Sequence, residues 1–108
     1  MKRGEIVVAN GRGEFTGKAR PFLVVQATEL MMGAEIVTVC PITSTLSYAP
    51  LVRVPLHAGA ETGLQVQSEI EVDLISSIRA RRISQVIGHA PAATMVAVDQ
   101  ALRRWLGL

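Results

Sequence analysis

Short apolar runs, rich in β-branched residues and separated by glycine, proline and small polar residues, make up most of the chain. Runs of this kind are typical of β-strands. The stretch SEIEVDL (68–74) alternates most strictly, with Ile70, Val72 and Leu74 on one side and acidic residues on the other. The pattern predicts strands at 5–9, 21–26, 35–41, 51–56, 68–74 and 82–88.

Proline and glycine set the limits of several of these strands. Pro41 is expected to end the third strand, and Pro55 places the fourth at a sheet edge or at a strand end, because proline cannot donate to the ladder. Three glycines in NGRGEFTGK (10–18) predict a mobile hairpin loop between the first two strands.

The last part of the chain changes from a two-residue to a helical period. Pro91 suits a first helical turn and Gly107 suits the end, and Asp99 is spaced to pair with Arg103. The apolar stripe, on which Trp105 is expected to pack, consists of Met95, Val98, Leu102 and Trp105. Strands followed by one helix predict a mainly β protein, a small antiparallel barrel or strongly coiled sheet with a C-terminal α-helix.

Length and composition narrow the class of protein. The 108 residues suit a single domain spanning 1–108, and no apolar run approaches the roughly 18 to 20 residues that cross a bilayer. Cys40 is the only cysteine, which fits a reducing cytoplasm, and its apolar strand favours a buried hydrophobe over a nucleophile. The two histidines have no metal-binding spacing, so no metal or cofactor is expected. The net charge of +2 permits a polyanionic partner.

Polar residues stand where the predicted strands end. Such residues either cap turns or form a joint site, and the pattern alone leaves both possibilities open. Arg20 precedes the second strand directly before Pro21, which fixes its backbone. The others follow the third strand or close the fifth, and they are Thr43, Ser44, Thr45, Asp73, Ser76 and Ser77.

Five segments of the chain resemble, in order, the MazF/PemK (Kid) toxins of bacterial type II toxin–antitoxin systems. They are KRGEIV, GKARPFLVVQ, VCPITST, VDLISSIRARRI and the closing VIGHAPAATMVAVDQALRRWLGL. The resemblance implies an SH3-like small antiparallel barrel with a C-terminal α-helix, and it implies that two such chains form a homodimer. It also implies a cytoplasmic, metal-independent endoribonuclease that cleaves single-stranded RNA at a short sequence and is inhibited by a cognate antitoxin protein.

The resemblance also assigns roles to individual residues. Arg20 and Thr43 correspond to the central catalytic pair of the family, Asp73 to the acidic residue of its Val-Asp block, and Glu14 to the acidic residue of its first loop. The residues expected to contact RNA are Phe15, Lys18, Ser44, Thr45, Ser76, Ser77 and Arg79.

The chemistry of RNA cleavage agrees with a catalytic role for Arg20 and Thr43. When a 2′-OH attacks the neighbouring phosphate, the products are a 2′,3′-cyclic phosphate and a 5′-OH end. A guanidinium such as that of Arg20 can bind two phosphate oxygens and keeps its charge, and the hydroxyl of Thr43 can donate to the same oxygens. Asp73 or Glu14 could act as the base, or orientation alone could activate the 2′-OH; this assignment stays open.

Because the chain departs from the family pattern at several positions, two alternative functions stay open. Val7, Leu74 and Ser76 replace residues common at family positions near the RNA, so the cleavage sequence does not transfer. A gyrase poison of the CcdB type, which shares the fold and acts through its C-terminal end, is one alternative, and Trp105 lies near that end. A barrel that binds RNA or protein without cleaving is the other.

Overall fold

The computed structural model describes residues 1–10 and 18–108, and within them it contains seven strands and one α-helix. The prediction of a mainly β fold with a C-terminal helix is confirmed. The elements are β1 (Glu5–Asn10), β2 (Ala19–Val24), β3 (Ile36–Thr43), β4 (Arg53–Leu56), β5 (Ser68–Glu71), β6 (Ser76–Arg79), β7 (Ile83–His89) and α1 (Ala92–Leu106).

All pairings between the strands are antiparallel. The order in the sheet is β4-β5-β3-β2-β1-β7, and β6 pairs with β3 as well. β1 and β2 are neighbours, as the predicted hairpin requires, although its loop at 11–17 lies outside the described residues. β4, which contains Pro55, is the last strand at one end of this order, so its predicted edge position is confirmed.

The strands carry apolar residues on both faces of the sheet, because alternating side chains of one strand point to opposite sides. The helix-side core lies between the sheet and α1 and includes Ile6, Leu23, Cys40, Ile42, Leu56, Ile70 and Val98. The opposite-side core includes Val7, Phe22, Val24, Val37, Val39 and Ile78. Burial on both faces explains why the first three strands read as nearly continuous apolar runs.

The predicted strand at 68–74 is wrong in its second half. β5 ends at Glu71, and a 3₁₀ helix, Val72–Leu74, takes the chain out of the sheet before it returns as β6, which the sequence pattern missed. Val72 donates its N–H to the carbonyl of Val52, and Ile75 donates to the carbonyl of Val72. The alternation continued through Leu74 because Val72 is buried in the helix-side core without being part of a strand.

The limits of β2 and β3 also differ from the predicted ones. Arg20 lies within β2, where it pairs with Ala9, and is not a residue that precedes the strand. β3 continues through Pro41 to Thr43. Pro41 is tolerated because β3 changes partner there: residues 36–39 pair with β6, whereas Ile42 and Thr43 pair with β5.

The terminal helix has its predicted limits. Pro91 is the N-cap, and Gly107 ends the helix with a left-handed φ of 71°. Two details were wrong: Asp99 binds Arg3 and not Arg103, with 2.7 Å between Nη2 and Oδ1, and Trp105 is half exposed and not packed. Among the described residues, no helix is long and apolar enough to span a membrane.

Candidate active site

A cavity of about 450 Å³ opens where the interruption between β5 and β6 leaves one face of β3 uncovered. It lies on the same side of the sheet as the opposite-side core, beyond Phe22 and Ile78, and its other apolar lining residues include Pro21, Pro41 and Leu74. Among the described residues, the polar ones that line it are Arg20, Thr43, Glu71, Ser76 and Ser77. We refer to this cavity as the groove.

Arg20 and Thr43 reach the groove from neighbouring strands. β2 and β3 pair with Phe22 across from Pro41, and continuing this register by two residues brings Arg20 to the position across from Thr43. Residues at facing positions of an antiparallel pair point to the same side with Cβ atoms about 4.5–5.5 Å apart. The two residues that the sequence placed at separate strand ends thus share one wall of the groove.

The hydroxyl of Thr43 is held by the chain that follows it. Its Oγ1 accepts a hydrogen bond from the backbone N–H of Thr45 at 3.1 Å. A hydroxyl carries one proton and two acceptor lone pairs, so accepting this bond leaves the proton of Thr43 available for donation into the groove.

Asp73 lies close to the groove but its carboxylate is directed to Arg53. The Arg53 guanidinium donates to Oδ1 at 2.8 Å through Nε and to Oδ2 at 3.2 Å through Nη2. These hydrogen bonds hold the pKa of the Asp73 carboxyl below its usual range. Asp73 is not among the residues that line the groove. This geometry disfavours its predicted role as a base.

Among the described residues, the acidic residue that lines the groove is Glu71, which the sequence pattern did not single out. Its Oε2 lies 3.3 Å from Nη1 of Arg53, and burial raises its pKa. The neighbouring Glu69 is only 5% exposed and accepts hydrogen bonds from Ser47 and from the N–H of Tyr48. The available signal was the alternation of 68–74, which placed both glutamates on the polar side of the strand.

The remaining predicted residues are divided between several places. Ser76 and Ser77 line the groove. Ser44 and Thr45 follow β3 without lining it, Lys18 is exposed, and Arg79 lines a separate cavity with Glu35 and Arg81. Glu14 and Phe15 lie outside the described residues.

Cys40 is fully buried in the helix-side core, as predicted. Burial raises the pKa of its thiol to about 12. Since the thiolate is the nucleophilic form, Cys40 is an inert packing residue.

Comparison with known proteins identifies the family to which this chain belongs. The model of the PemK-like, MazF-like toxin of type II toxin–antitoxin systems matches residues 2–106. The probable endoribonuclease MazF of Mycolicibacterium smegmatis is 34% identical over 108 residues, which are 100% of this chain and 98% of that protein. Endoribonuclease MazF9 of Mycobacterium tuberculosis is 34% identical over 116 residues, again with 100% and 98% coverage.

Solved structures agree in fold. The Mycobacterium tuberculosis toxin MazF-mt6 has a TM-score of 0.83 at 27% identity, covering 96% of this chain and 97% of that one. A MazE–MazF structure from Deinococcus radiodurans has a TM-score of 0.81 at 27% identity, covering 100% and 96%. The chain therefore belongs to the PemK/MazF family of toxins of type II toxin–antitoxin systems. The predicted family is confirmed, and the relatives favour the endoribonuclease hypothesis over a gyrase poison or an inactive barrel.

Proposed function

We propose that this chain is an endoribonuclease toxin that cleaves single-stranded RNA at a short sequence without a metal ion. The observation that carries the proposal is the placement of Arg20 and Thr43, which line one groove from facing positions of β2 and β3. The curated relatives that match the whole chain are named endoribonucleases, which supports the same activity.

The groove supplies what attack by a 2′-OH needs. The guanidinium of Arg20 neutralises the phosphate and the more negative phosphorane that forms from it. The Thr43 hydroxyl, oriented by the N–H of Thr45, donates to the same oxygens. Ser76 and Ser77 also line the groove, and the apolar residues Phe22 and Leu74 offer a surface for a base.

Partners and location follow from the same proposal. A toxin of this family acts in the cytoplasm, where its RNA is, and is neutralised by a cognate antitoxin protein; the MazE–MazF structure of Deinococcus radiodurans has the same fold as this chain in its MazF component. We also propose a homodimer.

The test is incubation of the purified protein with a long RNA of mixed sequence in the presence of EDTA, followed by mapping of 5′-OH ends. We expect discrete cleavage at one short sequence, with a 2′,3′-cyclic phosphate on the other product. Arg20→Ala should lose cleavage about a hundredfold to a thousandfold, as removal of a transition-state donor does, while the protein stays folded. Intact RNA would contradict the activity, whereas full cleavage by Arg20→Ala would contradict only the site.

A further inference from the structure

We propose that Glu71 is the general base of the cleavage reaction, accepting the proton of the attacking 2′-OH. The inference rests on the proposed function and names a group that the sequence and the family resemblance left unassigned. Among the described residues that line the groove, Glu71 is the acidic one.

Strand register explains how Glu71 reaches the groove. β3 and β5 pair with Ile42 across from Ile70 and Thr43 across from Glu69. Facing residues point to the same side, so Glu69, Thr43 and, two residues along β5, Glu71 share the groove side of the sheet. On its other flank, Glu71 faces Arg53 of β4. The carboxylate therefore lies one strand away from the hydroxyl of Thr43 and two strands away from Arg20.

Three acidic residues lie in this region, and two of them are already engaged by hydrogen-bond donors. Both oxygens of Asp73 accept from Arg53, at 2.8 and 3.2 Å. Glu69 accepts from the N–H and hydroxyl of Ser47 and from the N–H of Tyr48, each at 3.0 Å. Within the described residues, Glu71 has a single charged contact, at 3.3 Å from Arg53. Of these three carboxylates, two hold the local structure together, and the third belongs to the residue that lines the groove.

The burial of Glu71 and the charges around it favour its role as an acceptor of protons. Burial raises its pKa most, Arg53 lowers it, and the carboxylates of Asp73 and Glu69 raise it further. Arg20 is the charged residue of β2 in the groove, and Arg104 of α1 lines a second cavity together with Arg53 and Glu69. By contrast, hydrogen-bond donors lower the pKa values of Asp73 and Glu69. A base whose pKa lies closer to the working pH accepts a proton more readily.

The step balances without a metal or an external oxidant. The 2′-oxygen forms a bond to phosphorus while its proton moves to a carboxylate oxygen of Glu71, and the bond from phosphorus to the 5′-oxygen breaks. The leaving 5′-oxygen takes a proton from water, and the resulting hydroxide takes the proton from Glu71. The products are the 2′,3′-cyclic phosphate and the 5′-OH end.

Glu71→Gln tests the proposal because the amide keeps the size of the side chain and loses its basicity. We expect kcat to fall by about a hundredfold to ten-thousandfold with KM little changed, as for loss of a general base. The rate of the unaltered protein should fall as the pH drops through the pKa of Glu71, and this acidic limb should be absent in Glu71→Gln. An unchanged kcat, or an acidic limb that persists, would overturn the proposal.

Asp73→Asn is the matched control, since it removes the neighbouring carboxylate. This variant should keep the acidic limb whatever its rate, and loss of the limb here would assign the base to Asp73 instead. Cleavage of a different sequence by Glu71→Gln at the original kcat would make Glu71 a reader of bases, which also contradicts the proposal. If Glu71→Gln does not fold, Glu71→Asp serves in its place: it should keep the limb at a reduced kcat, and an unchanged kcat would be contrary.

A substrate with sulfur in place of the 5′-bridging oxygen separates a base from an acid, because a thiolate leaves without a proton. Glu71→Gln should stay slow on this substrate, whereas recovery of its rate would make Glu71 the acid.

Failure of the inference is distinguishable from failure of the proposed function. RNA left intact by the unaltered protein contradicts the function, and cleavage that Arg20→Ala loses while Glu71→Gln keeps it contradicts only the role of Glu71.

Discussion

The two faces of the central strands have different roles, although the same segments form both: one is a closed core and the other contains the groove. On the helix side, Leu23, Ile42 and Ile70 lie under α1 and are at most 5% exposed. On the opposite side, the apolar pattern ends earlier, and the positions beyond Phe22 and its partner Pro41 belong to Arg20 and Thr43. One face is closed along its length, and the other begins as a core and ends as the groove.

The difference shows how a protein of this size can hold a site rigidly. Arg20 and Thr43 lie on strands that also carry residues of the helix-side core, Leu23 on β2 and Ile42 on β3, so the backbone beneath the groove is fixed by packing on the other face. The groove exists because the chain leaves the sheet at Val72–Leu74 and returns at Ser76. Stability and chemistry can therefore be perturbed separately, and substitutions on each face test that separation.

The largest expected effect belongs to the closed face. Leu56→Ala, at a position 1% exposed in the helix-side core, should lower the free energy of unfolding by about 2 to 5 kcal/mol, because it leaves a cavity that the surroundings fill only in part. Urea denaturation measures the loss. The folded fraction should cleave RNA at the original kcat, and a loss of kcat with stability intact would show that the two faces are not separable.

Substitutions on the groove face should have the opposite effect and lower the cleavage rate without lowering stability. Thr43→Val keeps the shape of the side chain and removes its hydroxyl, so kcat should fall about a hundredfold to a thousandfold, equivalent to about 2.7 to 4 kcal/mol in the barrier. The unfolding midpoint should barely move, since the N–H of Thr45 can bind water instead. Thr43→Ser is the control and should retain most activity. Equal losses in both variants would argue against the hydroxyl as a donor.

Asp73 lies at the border between the two faces, and its contribution should depend on pH. Because the folded state lowers its pKa, the carboxylate stabilises the fold above its ordinary value of 3.8, and this stabilisation is lost as the pH falls through the lowered pKa. Asp73→Asn should cost about 1.5 to 3 kcal/mol at neutral pH, as for hydrogen bonds to charged groups, and progressively less as the pH falls through the lowered pKa. Denaturation at neutral pH and along an acid series measures this; a cost that does not change with pH would contradict the ion pair.

The smallest effect should come from the rim of the closed face. Arg3 and Asp99 join the start of the chain to α1, but their side chains are 30% and 46% exposed, so water and salt screen the pair. Asp99→Asn should cost less than about 1 kcal/mol and leave RNA cleavage unchanged. Thermal unfolding at low and high salt would check it, and a cost that does not diminish with salt would indicate more than an ion pair.

Parts of the fold and site could be predicted from local pattern. The strands around Val7, Val24 and Val39 were found because β-branched runs identify buried strands, and α1 was found from its three- and four-residue period and its terminal Pro91 and Gly107. β6 was missed because Ser76 and Ser77 carry no apolar alternation and are held in the sheet by pairing with β3. The bounds of β2 were wrong because Arg20 is in the sheet through its partner Ala9.

The amino-acid sequence by itself determined the class of fold, the family, and Arg20 and Thr43 as the central candidates, because these depend on periodicity and on motifs contained in short segments. Only the tertiary structure decided which carboxylate faces the groove. Glu69, Glu71 and Asp73 are two residues apart and alike in local pattern, and long-range partners separate them. Ser47 and Tyr48 donate hydrogen bonds to the first and Arg53 donates two to the third, whereas Glu71 has one contact with Arg53 among the described residues and lines the groove.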